Sequence, residues 1–424
     1  QHPRPRCSPP NHPMNTASPP SSRAVVTTVL VGALGYFVDI YDLLLFSIVR
    51  VASLRDLGVP APRLLEEGLS LLSVQMWGLL VGGVVWGILG DKRGRLSVLF
   101  GSILLYSVAN IANAFVHTTQ TYALWRFIAG VGLAGELGAA ITLVSETLPA
   151  RTRGYGTATV AGVGLLGAIA AALVGRHLSW RTAYLIGGGL GLVLLATRMT
   201  MLESGMFDRL RAANTAVVRG DFLMLLRDRR RFGRYLRCIL IGLPIWYVVG
   251  ILVTASPEFA AAFRATGPVS AGDAVLYTYV GLVVGDLSSG FVSQWIGSRR
   301  RVVAAYLAMT ALLSGAYLTL SAPTPSTVYA LCVGLGVAIG YWAVFVTIAA
   351  EQFGTNLRAT VTTSVPNFVR GSVPLLTGAF LSLRRAGLGM VASAALVGAG
   401  TFALALGSLW GLEETFGKDL DYHE

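Results

Sequence analysis

Two aspartates three residues apart, Asp39 and Asp42 in the run FVDIYDLLLF, stand inside an apolar stretch. A charge held at bilayer depth is costly, so it marks a transport pathway or an ion pair that fixes helix packing. The spacing puts both carboxylates on one face of a helix. Arg126, Glu136, Asp286 and Arg370 interrupt other apolar runs in the same way. With a rise of about 1.5 Å per residue, Asp42 and Arg126 fall at similar depth, and Asp39 lies between Arg126 and Glu136. Burial and a neighbouring arginine act on a carboxylate's proton affinity in opposite directions, so substrate or conformation can tip the balance. These six residues are the candidate proton and substrate site. Asp286 and Arg370 sit near mid-depth and suit either a substrate or each other, and Arg370 suits an anion held bidentately.

The neighbours of Arg370 add to this. Pro366, Asn367, Gly371 and Pro374 predict a locally broken helix, whose exposed backbone groups can bind ligands. Cavity-lining candidates are Tyr36, Tyr41, Gln75, Trp246, Tyr247, Tyr341, Trp342 and Asn367. Asn110 and Asn113 are placed to join helices by hydrogen bonds.

The elements that must position these groups follow from composition. Of the 424 residues, 54% are hydrophobic and 13% charged, against about 25% charged in an average soluble protein. A soluble enzyme, a nucleic-acid binder and a disordered chain are excluded on that count. The apolar runs are continuous and not alternating, which excludes a β-barrel. At about 20 residues per span, the chain holds about twelve helices. The expected division is a disordered cytoplasmic segment 1–24, a six-helix half 25–202, a linker 203–233, a second six-helix half 234–412 and a tail 413–424. Span one is expected over 25–49, span four over 122–144, span ten over 328–350 and span eleven over 361–383. Met14 is a candidate start, with residues 1–13 an extension.

The two halves carry a faint repeat. VSETLPARTRGYGT around Glu146 and AAEQFGTNLRATVT around Glu351 align Glu146 with Glu351 and Arg153 with Arg358 at one offset. GDKRGR after span two matches GSRRR after span eight. Repeated six-helix halves are a transporter architecture. The net charge of +12 reflects basic residues gathered in the loops after even-numbered spans, which places both termini in the cytoplasm of a cell-membrane protein. Arg50, Arg55 and Arg63 are among the few basic residues assigned to outer loops. The histidines and the three cysteines form no metal, disulfide or nucleophile pattern.

GILGDKRGR, RFIAGVGLAGE at 126–136 and SETLPARTRG at 145–154 resemble, in order and spacing, the signature segments of the major facilitator superfamily. GELGAA and FVDIYDLLLF look most like its metabolite:proton symporters, with sugar porters a looser match. The resemblance implies an all-α membrane fold of twelve helices in two pseudo-symmetric halves, with spans one and four beside a central cavity. It implies a secondary active transporter of a small polar organic solute, working by alternating access with proton symport. A uniporter or exporter of the same fold is the alternative, and a membrane-embedded enzyme the remote one. A monomer in the bilayer is expected, with no cofactor, metal or nucleic acid. It further implies a cytoplasmic gate of Gly90, Asp91, Gly94, Arg95, Glu146 and Arg153, with Glu351 and Arg358 as its counterpart. The two glycines allow the tight turn between spans two and three.

Overall fold

The computed structural model describes residues 22–93, 95–135, 153–203 and 223–417. No strand occurs among the described residues. In lipid a backbone must satisfy its own polar groups, and a helix does so within one segment. Among the described residues, twelve helical segments placed as spans can be traced, in two halves of six. The first half holds α1 (Ser22–Asp56), α2 (Leu64–Arg93), α3 (Arg95–Asn113), α4 (Thr119–Leu133 as described), α5 (Arg153–His177) and α6 (Trp180–Glu203). The second holds α7 (Arg229–Val253), α8 (Ala271–Ile296), α9 (Arg299–Leu318), α10 (Pro325–Glu351), α11 (355–385, in two segments) and α12 (Met390–Trp410). Among the described residues nine stretches are long and apolar enough to cross a membrane by themselves; α3 and α4 are shorter as described, and α11 is broken.

Local signals set the ends. Thr118, Ser270, Ser298 and Thr324 each accept the N–H three residues on, capping α4, α8, α9 and α10. Gly297, with φ +65°, ends α8 in the left-handed conformation that a side chain resists. The first helix runs beyond its expected end near residue 49, because the first breakers are Gly58 and Pro60. Arg50 is therefore a helix residue, wholly buried and not in a loop.

Three spans are irregular. In α7 the backbone widens into a π-helical turn at Val248–Val253, and Thr254 Oγ1 donates to the Val249 carbonyl at 2.7 Å. The tenth span, expected to be continuous, breaks at Gly340 and Tyr341. The eleventh stops at Gly371 and restarts at Val373, as the Pro and Gly pattern predicts, with Pro366 accommodated inside the first segment.

Packing repeats between the halves: α2 lies on α4 as α8 lies on α10, and α3 on α6 as α9 on α12. Both close pairings need glycine. A Cβ on Gly130 would stand 2.1 Å from the Gln75 carbonyl oxygen, and one on Gly336 would stand 1.9 Å from that of Thr278. The halves meet along α2–α11 and α5–α8.

Candidate functional site

Between the halves lies a cavity enclosing about 390 Å³ of empty space, open solvent included. Four aromatic side chains line it among aliphatic ones: Tyr36 from α1, Trp246 from the irregular turn region of α7, Tyr279 from α8 and Trp342 from α10. Arg370 supplies the cation among the lining residues. It occupies the last turn of the first α11 segment, where a helix C-terminus favours positive charge.

Arg370 is buried, and its guanidinium meets the Asp39 carboxylate of α1 at 3.4 Å. It also lies 6.0 Å from the centre of the Trp342 ring. Its Nε donates to no group among the described residues. The pair joins the two halves through residues 331 positions apart. Separating the halves on this side must break it.

Asp42 and Arg126 form a second buried group, inside the first half. Arg126 donates to Gln75 Oε1 and lies 5.3 Å from the Phe46 ring and 5.6 Å from the Tyr184 ring. Tyr184 is itself bonded to Tyr122 at 2.7 Å. The Asp42 carboxyl is near enough to feel the Arg126 charge, and the Asn110 amide faces it. Yet neither Asp42 oxygen, nor Nε or Nη1 of Arg126, closes a hydrogen bond among the described residues. Such a group is held in place by one strong contact and leaves capacity to bind a proton or a polar ligand.

The remaining candidates divide. Tyr36, Trp246 and Trp342 line the cavity. Tyr41, Tyr247 and Tyr341 are buried but not among the lining residues, and donate to the carbonyls of Ala183, Ala394 and Ile241, tying helices together. Asn367 donates to Ala134 and Thr363. Gln75 holds Arg126. Asp286 does not pair with Arg370, one of the alternatives their shared depth left open; its carboxylate accepts the Ala343 N–H at 2.8 Å. Glu136 lies outside the described residues.

At the end of the bundle carrying Arg50, three ion pairs cross between halves: Arg50–Glu258 at 2.7 Å, Arg176–Asp273 at 3.4 Å, and Arg385–Glu66. The last two are exposed and count for little. Arg50 is buried and also donates to the carbonyls of Leu64 and Thr254, both at 3.1 Å. This end is closed.

At the opposite end, Gly94 and Glu146 lie outside the described residues. Gly90, Asp91, Arg95 and Arg153 belong to helices, but their side-chain placement is likewise outside the described set. Glu351 pairs with Arg299 at 3.3 Å and accepts from Thr415. It does not pair with Arg358, which donates to the Ala350 and Phe353 carbonyls at the end of α10. The tail folds back here. Glu414 accepts from the Ser298 hydroxyl and from the N–H groups of Arg299 and Arg300, at the N-terminus of α9. Burial acts to raise its carboxyl, but these bonds and that from the Phe416 N–H outweigh it and hold the group below the usual glutamate range.

Sequence reasoning missed Tyr279, Arg50, Glu258 and Glu414. Tyr279 was within reach, since it shares a helix face with Asp286 at i,i+7. The other three depend on contacts between distant segments.

Comparison with known proteins adds the lineage. The profile of the Major Facilitator Superfamily matches residues 32–378. The chain is 28% identical over 360 residues to a gentisate transporter of Corynebacterium glutamicum, covering 79% of this chain and 76% of that one. It is 28% identical over 400 residues to a gallate transporter of Pseudomonas putida, covering 83% and 86%. A crystal structure of a D-xylose-proton symporter superposes with a TM-score of 0.65 at 18% identity, over 94% of this chain and 100% of that one; the likeness is one of fold.

Proposed function

The chain belongs to the Major Facilitator Superfamily and moves a small organic solute across the membrane, and from that premise we propose that the solute is an aromatic carboxylate taken up together with protons. The observation that carries the proposal is the buried Arg370–Asp39 pair beside a cavity that four aromatic side chains help to line. An aromatic ring stacks well against Tyr36, Trp246, Tyr279 and Trp342. A carboxylate on that ring is matched by a guanidinium fork, and Arg370 is the cation in reach. The relatives' named substrates, gentisate and gallate, are ring carboxylates of this kind.

Asp39 then competes with the solute for Arg370. While it is ionised, the guanidinium is engaged. When it takes a proton, the pair loosens and Arg370 turns to the solute carboxylate. Solute and proton thus enter the occluded site together, and the net charge there is unchanged. Asp42, beside Arg126, is the second proton-binding carboxylate of the path. The Arg50 end faces outward and both termini face the cytoplasm, by the distribution of arginine. The protein works as a monomer in the cell membrane, with the two six-helix halves, 25–202 and 234–412, rocking about the cavity.

Proteoliposome uptake tests this. Under an inward proton gradient, gentisate and gallate are expected to accumulate, while xylose and glucose are not. Asp39→Asn is expected to abolish accumulation and spare counterflow of preloaded gentisate. Accumulation of sugars, or Asp39→Asn vesicles that still concentrate gentisate, would overturn the reading.

A further inference from the structure

The tenth span restarts at Trp342 and runs ten residues to Glu351. A restarted helix has leading N–H groups with no carbonyl one turn back. Tyr341, at the cap position, makes no side-chain cap bond, and tyrosine is not among the capping residues. The acceptor comes from another helix. Asp286 of α8 takes the N–H of Ala343, the second residue of the new segment, at 2.8 Å. An N-cap side chain bonds the second or third N–H, so Asp286 stands where a cap belongs. The approach is made possible by two glycines: a Cβ on Gly340 would stand 2.4 Å from the Gly285 backbone. Asp286 forms no ion pair among the described residues and is not among the residues lining the cavity.

We propose that Asp286 is a positioning residue: it caps the second segment of α10 from across the helix pair and so sets Trp342 against Arg370, carrying neither the proton nor the solute. Trp342 is the first residue of the capped segment, and it lines the cavity 6.0 Å from Arg370. Without the cap, the first turn frays, and the fraction of protein with a formed cavity wall falls. Apparent affinity falls by the same factor. A carboxylate also suits the positive end of a helix, which explains an acid at this depth without a cation beside it. The proposal rests on the cavity being the solute site.

The experiment compares gentisate uptake and counterflow for Asp286→Asn, Asp286→Ala and Trp342→Ala. Asparagine keeps an accepting oxygen but binds no proton at transport pH. Asp286→Asn is expected to concentrate gentisate with a KM within about threefold of the unaltered protein. Asp286→Ala is expected to raise KM by about threefold to thirtyfold at little change in maximal rate. If Asp286→Asn exchanges gentisate but cannot concentrate it, Asp286 carries the proton and the proposal is wrong. An unchanged KM in Asp286→Ala overturns it too. Should the alanine variant fail to fold, the asparagine result alone decides. Trp342→Ala tests the underlying reading separately: an unchanged KM there means the cavity is not the solute site.

Discussion

Among the described residues, the two ends of the bundle are held by different kinds of contact. At the Arg50 end, the buried ion pair runs between halves, from α1 to the short helix Ser256–Ala262 beyond α7. At the Arg299 end, Arg299, Glu351 and Ser298 belong to the second half, and Thr415 and Glu414 to the tail that folds back on it. The middle repeats the division. Arg370–Asp39 crosses between halves, whereas Arg126, Gln75 and Asp42 stay within one. If the halves rock about the cavity as proposed, the cross-half contacts that seal one end must be made and broken in each transport cycle. Contacts within a half can persist through it. The first kind should therefore govern rates and affinities, and the second the integrity of the moving bodies.

The sharpest test of this division is Arg370→Ala. It leaves Asp39 buried without its cation and removes the proposed anchor for the solute. Removing one partner of a buried pair costs about 3–5 kcal/mol, so accumulation and counterflow should both fall more than about a hundredfold. Arg370→Lys restores the charge but not the fork, and should recover only part of the activity. Near-normal transport in Arg370→Ala, at matched protein amount, would remove the cross-half pair from the mechanism.

Next in size is the contrast between the two span-one aspartates. Asp39→Asn and Asp42→Asn should each abolish pH-driven accumulation of gentisate. They should differ in affinity. Releasing Arg370 lowers the KM for counterflow by about tenfold in Asp39→Asn, the worth of a hydrogen bond to a charged group. Asp42 has its neighbours within one half, and Asp42→Asn should leave KM unaltered. Equal KM changes in the two variants would erase the distinction between cross-half and within-half groups.

Much of this division was legible in the sequence, for reasons particular to each element. Acids and arginines in apolar runs are costly, so Asp39, Asp42, Arg126 and Arg370 stand out whatever their partners. The repeat around Glu146 and Glu351 and the break near Gly371 are written in local residue types. The partners of these groups are not local. Arg370 had an equally good mate by depth in Asp286, and only the packing of α1 against the second half decides for Asp39. The break at Gly340 lies in an unbroken apolar run and depends on the Gly285 backbone across the helix pair. Tyrosines gave the weakest reading, since a buried hydroxyl serves a carbonyl or a cavity equally well, as Tyr41 and Tyr36 illustrate.

The closed end offers a smaller effect. Glu258→Gln leaves Arg50 with only its two carbonyl acceptors, and the seal between the halves weakens. Leu282→Cys places a reporter at the cavity wall. Adding Glu258→Gln should raise its labelling by an impermeant reagent from the Arg50 side by about tenfold, equivalent to about 1.4 kcal/mol of population shift. The matched change at the exposed pair, Glu66→Gln, should alter labelling less than about twofold. Equal responses to the two changes would mean that the buried pair contributes no more than an exposed one.

The smallest effect belongs to the within-half network. Glu414 is held ionised by the N-terminus of α9, with its carboxyl below the ordinary value of 4.5. A carboxyl lowered on folding stabilises the folded protein above its unfolded value, and that contribution is lost as pH falls through the folded one. Glu414→Gln keeps an acceptor but loses the charge. Its Tm in detergent should therefore lie slightly below that of the unaltered protein from pH 7 down to pH 5, by a constant margin. The margin should close only as pH falls below the ordinary value of 4.5 and through the lowered native one, where the native carboxyl takes its proton. Transport should change less than about twofold, because these contacts travel with the second half and are not remade in each cycle. A large loss of transport with no change in Tm would place Glu414 on the gating surface and move it into the other class of contact.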